Sequence, residues 1–396
     1  MERELPEKLE KFELLGGTER ESPKTLEKFK HLPRNSRQPP LHVPAALKSN
    51  YSAHEHQLEE RPMTRGWIWM SAGALTVAAA LVLQFALYLY RFAIQRTPKS
   101  FMGSDPNMPK IEEGLVREIR SWFHSRPFEE AAIRSDDGLT LKAHYLEAER
   151  PTDRAVILAH GYSGQGEDMA PFAKFYHEHG FRVLMPDNRG HGRSDGHYIG
   201  FGWHDRKDYV RWIEYMVRRI GERAQIVLHG VSMGGGVVLM TSGEPLPPQV
   251  KCVVSDCAYS SVKSILKYQL KQMFKLPAFP LLPLTSLICK CRAGYFFGEG
   301  SVLRQLRNNK LPILLIHGDR DTFVPASMAS EIFDAIRSPK EQWIVPGAQH
   351  AISFLADRAK YETTVLEFIE KYLAASPQVE EEAEVRLPSA LSFAGR

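Results

Sequence analysis

The five residues Gly230-Val231-Ser232-Met233-Gly234 are the part of this sequence best suited to covalent chemistry. They follow an apolar run, Ile226 to His229, and precede a helix-compatible run, Gly235 to Met240. A serine between two glycines at a strand-to-helix turn carries its hydroxyl on a sharp bend. A side chain at either glycine position would collide with the neighbouring strand or helix. The start of the following helix adds partial positive charge where an oxyanion would develop. A hydroxyl is a poor nucleophile without an adjacent base. His350 suits that part: it follows Gly347-Ala348-Gln349, after the last strand-like run and before the last helical pattern. A third group must orient the imidazole and stabilise its charged form. Asp319 and Asp321 both lie in the run His317 to Pro325. Asp321, further out on that loop, is the expected partner. Asp319 is expected to stabilise the turn, and Asp256, at the end of the preceding strand, is the alternative.

An oxyanion needs two backbone N–H donors. Met233, directly after the serine, is one candidate, and Tyr162 in His160-Gly161-Tyr162-Ser163-Gly164 is the other. His160 is expected to hold that loop without joining the chemistry. The charged run Asp187-Asn188-Arg189-Gly190-His191-Gly192-Arg193-Ser194 is expected to be a structural turn, its polar side chains bonding backbone. Chemistry of this kind needs no metal and no organic cofactor. The four cysteines, Cys252, Cys257, Cys289 and Cys291, lack the spacing of a zinc site. Cys289 and Cys291 could form a local disulfide or hold a metal, but four free, mostly buried thiols are expected.

These residues need a frame. Short apolar runs at 155–159, 182–185, 226–229, 252–255, 313–316 and 342–345 read as strands. Helical patterns such as Asp208 to Ile220 and Ser327 to Ile336 lie between them. That alternation predicts an α/β domain with a mostly parallel central sheet and helices on both faces. Two earlier runs, Glu129 to Arg134 and Leu139 to Leu146, surround Asp136-Asp137-Gly138 and read as an antiparallel hairpin at the sheet edge.

The chain has 396 residues and a formal net charge of +4, which makes no case for nucleic-acid binding. Residues 1–65 are rich in Lys and Glu and poor in aliphatic side chains, so a disordered tail is expected. Within it Leu9-Glu10-Lys11-Phe12 recurs as Leu26-Glu27-Lys28-Phe29, and Asn50-Tyr51-Ser52 fits a glycosylation sequon. Residues 66–90 carry no charge, which predicts one transmembrane helix. Trp67 and Trp69 at one end and Tyr88 and Tyr90 at the other suit the two interfacial belts. Arg91, Arg96 and Lys99 against Arg61 and Arg65 slightly favour a cytoplasmic C-terminal side, but the Lys and Arg of the wider tail favour its cytoplasmic placement, with the catalytic domain on the exoplasmic side. Residues 91–125 are expected to form a linker and a helix leading away from the membrane. Residues 126–375 are expected to be the globular domain, and 376–396 an acidic disordered tail.

The motifs at His160-Gly161-Tyr162, Asp187 to Ser194, Gly230 to Gly234, Asp319 to Pro325 and His350 together resemble the α/β-hydrolase superfamily. The branch with monoacylglycerol-lipase-like and serine-aminopeptidase-like members is the most similar, as are membrane-anchored bacterial hydrolases. The order Ser, Asp, His along the chain is the one expected of that fold. The resemblance covers about residues 129–373. It implies an α/β-hydrolase fold with a helical cap inserted near 261–311, and a serine hydrolase that cleaves esters or related acyl bonds. The cap segment combines Lys263, Lys267, Lys271 and Lys275 with Phe274, Phe279 and several leucines. Such a lid suits a lipid-like substrate or a membrane surface, and equally a plain capping subdomain. A peptidase that removes N-terminal residues is the alternative activity, and a non-catalytic membrane-tethered binding protein the other.

Overall fold

The computed structural model describes residues 65–99 and 112–373. The expected tails, their repeat, the Asn50 sequon and the middle of the 91–125 segment lie outside the described residues.

Runs of aliphatic residues without a polar face need cover on both sides, and the sheet supplies the site for it. Its eight strands are β1 (Glu129–Arg134), β2 (Thr140–Leu146), β3 (Arg154–Ala159), β4 (Arg182–Pro186), β5 (Gln225–Val231), β6 (Val250–Asp256), β7 (Ile313–Gly318) and β8 (Lys340–Val345). The spatial order is β1-β2-β4-β3-β5-β6-β7-β8. The expected hairpin is present: β1 pairs with β2 antiparallel, and β2 joins β4 antiparallel. Every other neighbouring pair is parallel.

Successive residues of a strand face opposite sides, and the two cores follow that period. Val156, Leu158, Val227 and Val254 pack on one face under α2 (Glu113–His124), α3 (Ala170–Glu178) and α11 (Arg358–Glu370). Ala155, Ile157, Leu228 and Val253 pack on the other, under α4 (Asp205–Ile220), α5 (Met233–Thr241), α8 (Val302–Gln305) and α9 (Ser327–Ala335). The short α10 (Ser353–Ala356) precedes α11.

Between β6 and β7 the chain leaves the sheet to form α6 (Val262–Phe274) and α7 (Leu281–Ala293) before α8. Ser261 starts α6 by accepting a hydrogen bond from the Ser264 N–H at 3.1 Å. Lys275, in the left-handed region, ends it.

The uncharged segment is helical, as α1 (Arg65–Ala93), and Trp69–Ala93 is long and apolar enough to cross a membrane. Residues 69–81 are exposed throughout, unlike the core helix of a globular domain. Its C-terminal part is different. Ala86, Leu89 and Tyr90 are buried, and the rings of Phe85, Tyr88 and Phe92 surround Phe274 of α6.

The described residues directly after α1, up to Lys99, are bonded to the body. Gln95 bridges Tyr198, the Ile199 N–H donates to the Ile94 carbonyl at 2.7 Å, and the Arg96 N–H donates to the His197 carbonyl at 2.9 Å. The Arg96 guanidinium bonds the carbonyls of Ser194, Gly192 and Gly196. Lys99 folds back and donates to the Phe92 and Gln95 carbonyls at 2.6 and 2.9 Å, placing a cation at the negative end of α1. These bonds replace those a free linker would make with water, so α1 is fixed to the globular body at its base.

Candidate active site

Parallel α/β sheets present their ligand sites at the carboxyl ends of the strands. β5 ends there in the elbow expected from the glycines. Ser232 sits at φ 57 and ψ −115, a strained conformation for a residue with a side chain. Its N–H donates to the Asp256 carbonyl at 2.8 Å, which helps hold the turn. A Cβ on Gly230 would overlap the Gly234 carbonyl, and one on Gly234 would overlap the Ala159 carbonyl. The collision expected from sequence is therefore real at both positions.

Ser232 Oγ lies 2.8 Å from His350 Nε2, and His350 Nδ1 lies 2.7 Å from Asp321 Oδ2. Burial acts to raise the Asp321 carboxyl, but hydrogen bonds and charge from His317 and His350 outweigh it and hold the group at about 2. An ionised carboxylate can only accept, so Nδ1 of His350 carries the proton and Nε2 is left to accept from the serine hydroxyl. The other carboxylate oxygen accepts from the Phe323 and Val324 N–H groups at 2.9 and 2.8 Å. Asp321 is thus fixed from both sides.

The alternative carboxylates are engaged elsewhere. Asp319 accepts from the Gly347 N–H at 2.6 Å, tying together the loops that carry Asp321 and His350. Asp256 accepts from the Ser353 and Tyr361 hydroxyls at 2.9 and 3.2 Å. Its burial raises it to about 6, against the opposing effects of Ser353, His317, Tyr361 and His350.

Both expected oxyanion residues lie beside the serine. Met233 is the first residue of α5. Gly161 passes close enough that a Cβ there would touch Ser232 Cβ at 3.6 Å, which brings the Tyr162 backbone to the elbow. His160 holds this loop: its Nε2 accepts from the Asn188 N–H at 3.0 Å, so Nδ1 carries the proton and donates to the Gly161 carbonyl at 2.8 Å. The run Asp187 to Ser194 forms the expected structural turn. Asp187 accepts from the Gly166 N–H at 2.7 Å, and Arg189 is buried in a two-pronged pair with Asp208 at 2.7 Å.

Sequence reasoning missed several partners. His317 donates from Nε2 to the Val324 carbonyl at 2.8 Å and stands 3.4 Å from Asp321 Oδ2. Burial pulls its pKa down, yet Asp321 pushes it above the ordinary value on balance. Beneath the elbow a buried chain links Tyr176, His229, Tyr361 and Asp256 through contacts of 3.0, 3.1 and 3.2 Å. The position of His317 two strand ends away from His229 gave no periodic signal of either role. Cys257 shares a cluster with Asp321 and His350 whose ligand-capable atoms lie within 4.8 Å of one another. Burial pushes its thiol well above the usual range, so it stays protonated, while Asp321 has its oxygens already engaged. All four cysteines are free: Cys252, Cys257 and Cys289 are buried and Cys291 is exposed.

Two cavities meet at Ser232. A wide one of about 420 Å³ is lined by Ile119 and Phe123 of α2, by Gly161, Tyr162 and Phe172, and by His350 and Phe354. A narrow one of about 70 Å³ runs the other way, between Phe92 and Ala93 of α1 and Leu266 and Met273 of α6.

A family model described as the alpha/beta hydrolase fold matches residues 154–281. The protein YqkD of Bacillus subtilis is 26% identical over 303 residues, which cover 76% of this chain and 97% of YqkD. The thermostable monoacylglycerol lipase of Bacillus sp. is 26% identical over 246 residues, covering 55% of this chain and 90% of the lipase. Among solved structures, an esterase of Pyrococcus furiosus superposes with a TM-score of 0.53 at 23% identity, over 67% of this chain and 97% of the esterase. With its mostly parallel eight-stranded sheet, the chain has the α/β-hydrolase fold.

Proposed function

We propose that this hydrolase is a serine esterase acting on carboxylic esters or related acyl bonds. The observation that carries the proposal is the unbroken relay from Ser232 Oγ through His350 to Asp321, with distances of 2.8 and 2.7 Å. His350 Nε2 takes the serine proton as Oγ attacks the carbonyl carbon. The developing oxyanion accepts hydrogen bonds from the Met233 and Tyr162 N–H groups. His350 then gives the proton to the leaving alcohol. Water, deprotonated by the same nitrogen, releases the acid from the acyl-enzyme.

The apolar lining on both sides of Ser232 supports an acyl substrate, as does the likeness to a monoacylglycerol lipase. One observation favours the peptidase reading. Glu167 lines the wide cavity and could hold a peptide amine, although His124 Nε2 already lies 3.9 Å from it. Paired ester and aminoacyl-amide substrates separate the two.

The long exposed apolar surface of α1 supports a single-pass membrane anchor. The N-terminal tail carries more Lys and Arg than the residues just after α1, which favours the exoplasmic side for the catalytic domain. Ser232→Ala should abolish both p-nitrophenyl butyrate turnover and labelling by a fluorophosphonate. Labelling that persists undiminished would remove Ser232 from the role of nucleophile.

A further inference from the structure

We infer that α1 is both an anchor and one wall of an acyl-chain passage, which leads from the bilayer to Ser232 between α1 and α6. The inference rests on the serine-hydrolase reading and names its substrate class: a membrane-resident lipid with one long, unbranched acyl chain.

The passage is visible as two apolar cavities in series. The narrow cavity at Ser232 is lined by Met233, Phe92, Ala93, Leu266, Gln269 and Met273. A second cavity of about 50 Å³ shares Phe92, Ala93, Leu266, Gln269 and Met273 with it, and continues to Leu89, Leu270 and Phe274. The shared walls make one path along α1, directed from the elbow back towards the exposed apolar part of the helix. A narrow slot with apolar walls suits a methylene chain better than a branched or polar group.

Helix arithmetic places the far end of that path in lipid. From Gly66 to Leu81 the helix rises roughly 24 Å, and its residues 69–81 are exposed. A hydrocarbon core is ~30 Å thick. About one more turn of α1 must therefore lie in the bilayer, and that turn is residues 82–85. Val82 and Phe85 pack there, together with Phe274 and Leu276 at the end of α6, on the cluster of Leu89, Leu270 and Leu281. The edge of the cap enters the leaflet with them. Its outward residues agree: Met273, Phe279 and Leu287 are exposed apolar side chains at 37%, 78% and 50%. Exposed hydrophobic groups clustered beside a spanning helix mark contact with lipid. On this geometry a chain slides from the leaflet past Phe274 and Met273 to reach the serine, and the polar part of the substrate occupies the wide cavity, where Arg120, Glu167 and Asp168 stand.

The test uses the full chain in phosphatidylcholine vesicles. It compares turnover of monopalmitoylglycerol, held in the bilayer, with that of soluble p-nitrophenyl butyrate. Leu266→Trp narrows the middle of the passage and Met273→Trp its outer part. In each, the palmitoyl-to-butyryl ratio should fall by roughly 10-fold or more, the effect of leaving two methylenes unburied. Fluorophosphonate labelling of Ser232 reports that the variants are folded. The passage is wrong if the ratio is unmoved in both variants, or if only Ile119→Trp in the wide cavity lowers it. An equal loss of both activities would also overturn it. Failure of the wild-type chain to label or to hydrolyse either ester would instead reject the serine-hydrolase reading beneath it.

Discussion

The Tyr162 hydroxyl donates a 2.8 Å hydrogen bond to the main-chain carbonyl of Ala93, the last residue of α1. The proposed oxyanion donor is therefore buttressed by the base of α1. Its ring also packs on Phe201, with centroids 5.2 Å apart. In Tyr162→Phe the ring contact survives and the bond to α1 is lost. The N–H proposed to face the oxyanion then has a less firmly held loop behind it. We expect kcat to fall roughly 5-fold, equivalent to the ~1 kcal/mol of a net hydrogen bond. KM for p-nitrophenyl butyrate should change little, because the bond steadies a group used in the transition state. A rise in KM at constant kcat would contradict a positioning role.

Truncation should distinguish anchor from core. Tyr90 and Ile94 are 2% and 0% exposed and belong to the cluster that includes Met233 and Tyr259. Removing residues 1–96 takes away both side chains, at ~1.5–3 kcal/mol each, along with the Arg96 bonds to residues 192–196. Its Tm should drop by roughly 10 °C relative to the full chain in the same detergent. A chain beginning near residue 82 keeps the docked segment and should lie much closer to the full chain. Equal melting of the two truncations would show that the base of α1 is dispensable.

Asp321→Asn isolates the charge from the geometry. The amide can occupy the same space, but its NH2 facing His350 Nδ1 would favour the tautomer with the proton on Nε2, where it cannot accept from Ser232. In triads of this type the change costs about 10⁴ in kcat, and a loss of that order in p-nitrophenyl butyrate hydrolysis is expected. Asp256 is not placed to compensate, since its oxygens are engaged by Ser353 and Tyr361. Near-normal turnover in this variant would transfer the orienting role to another carboxylate.

What was legible in the sequence depended on local chemistry. The glycines around Ser232 announce their turn because the steric demand lies within five residues. The strands announce themselves because burial on both faces demands continuous aliphatic runs. His350 and Asp321 follow from their places after strands. His317 was invisible as a partner of Asp321, since the loop from Asp319 to Val324 must first close before its ring reaches the carboxylate. The Tyr162 bond to Ala93 joins residues on separate elements, and nothing near either one signals the other. The charge-free stretch from Gly66 to Tyr90 made a helix predictable, but not that its last two turns would be core. Ala86, Leu89 and Tyr90 are as suitable for lipid as for protein, and only the facing surfaces of α6 and α7 decide between them.

Two buried aspartates should shape the pH dependence of stability in opposite directions. Asp321 is held at about 2 in the folded state, below its ordinary 3.8. The native state then binds fewer protons than the unfolded one, so this contribution is present above about pH 4 and is lost as pH falls towards 2. Asp256 is raised from 3.8 to about 6. Between those values the native state holds a proton that the unfolded chain has released, so stability declines as pH rises from 4 to 6. A shift of this size corresponds to roughly 2–3 kcal/mol. Asp256→Asn keeps groups able to bond Ser353 and Tyr361 but cannot ionise. Its Tm should be flatter than wild type between pH 4 and 6, while the acid-side loss below pH 4 persists. Thermal melts across that range, on both proteins, measure the difference. Parallel curves from pH 4 to 6 would mean that Asp256 is already ionised at the bottom of the window, and that its two hydroxyl donors outweigh its burial.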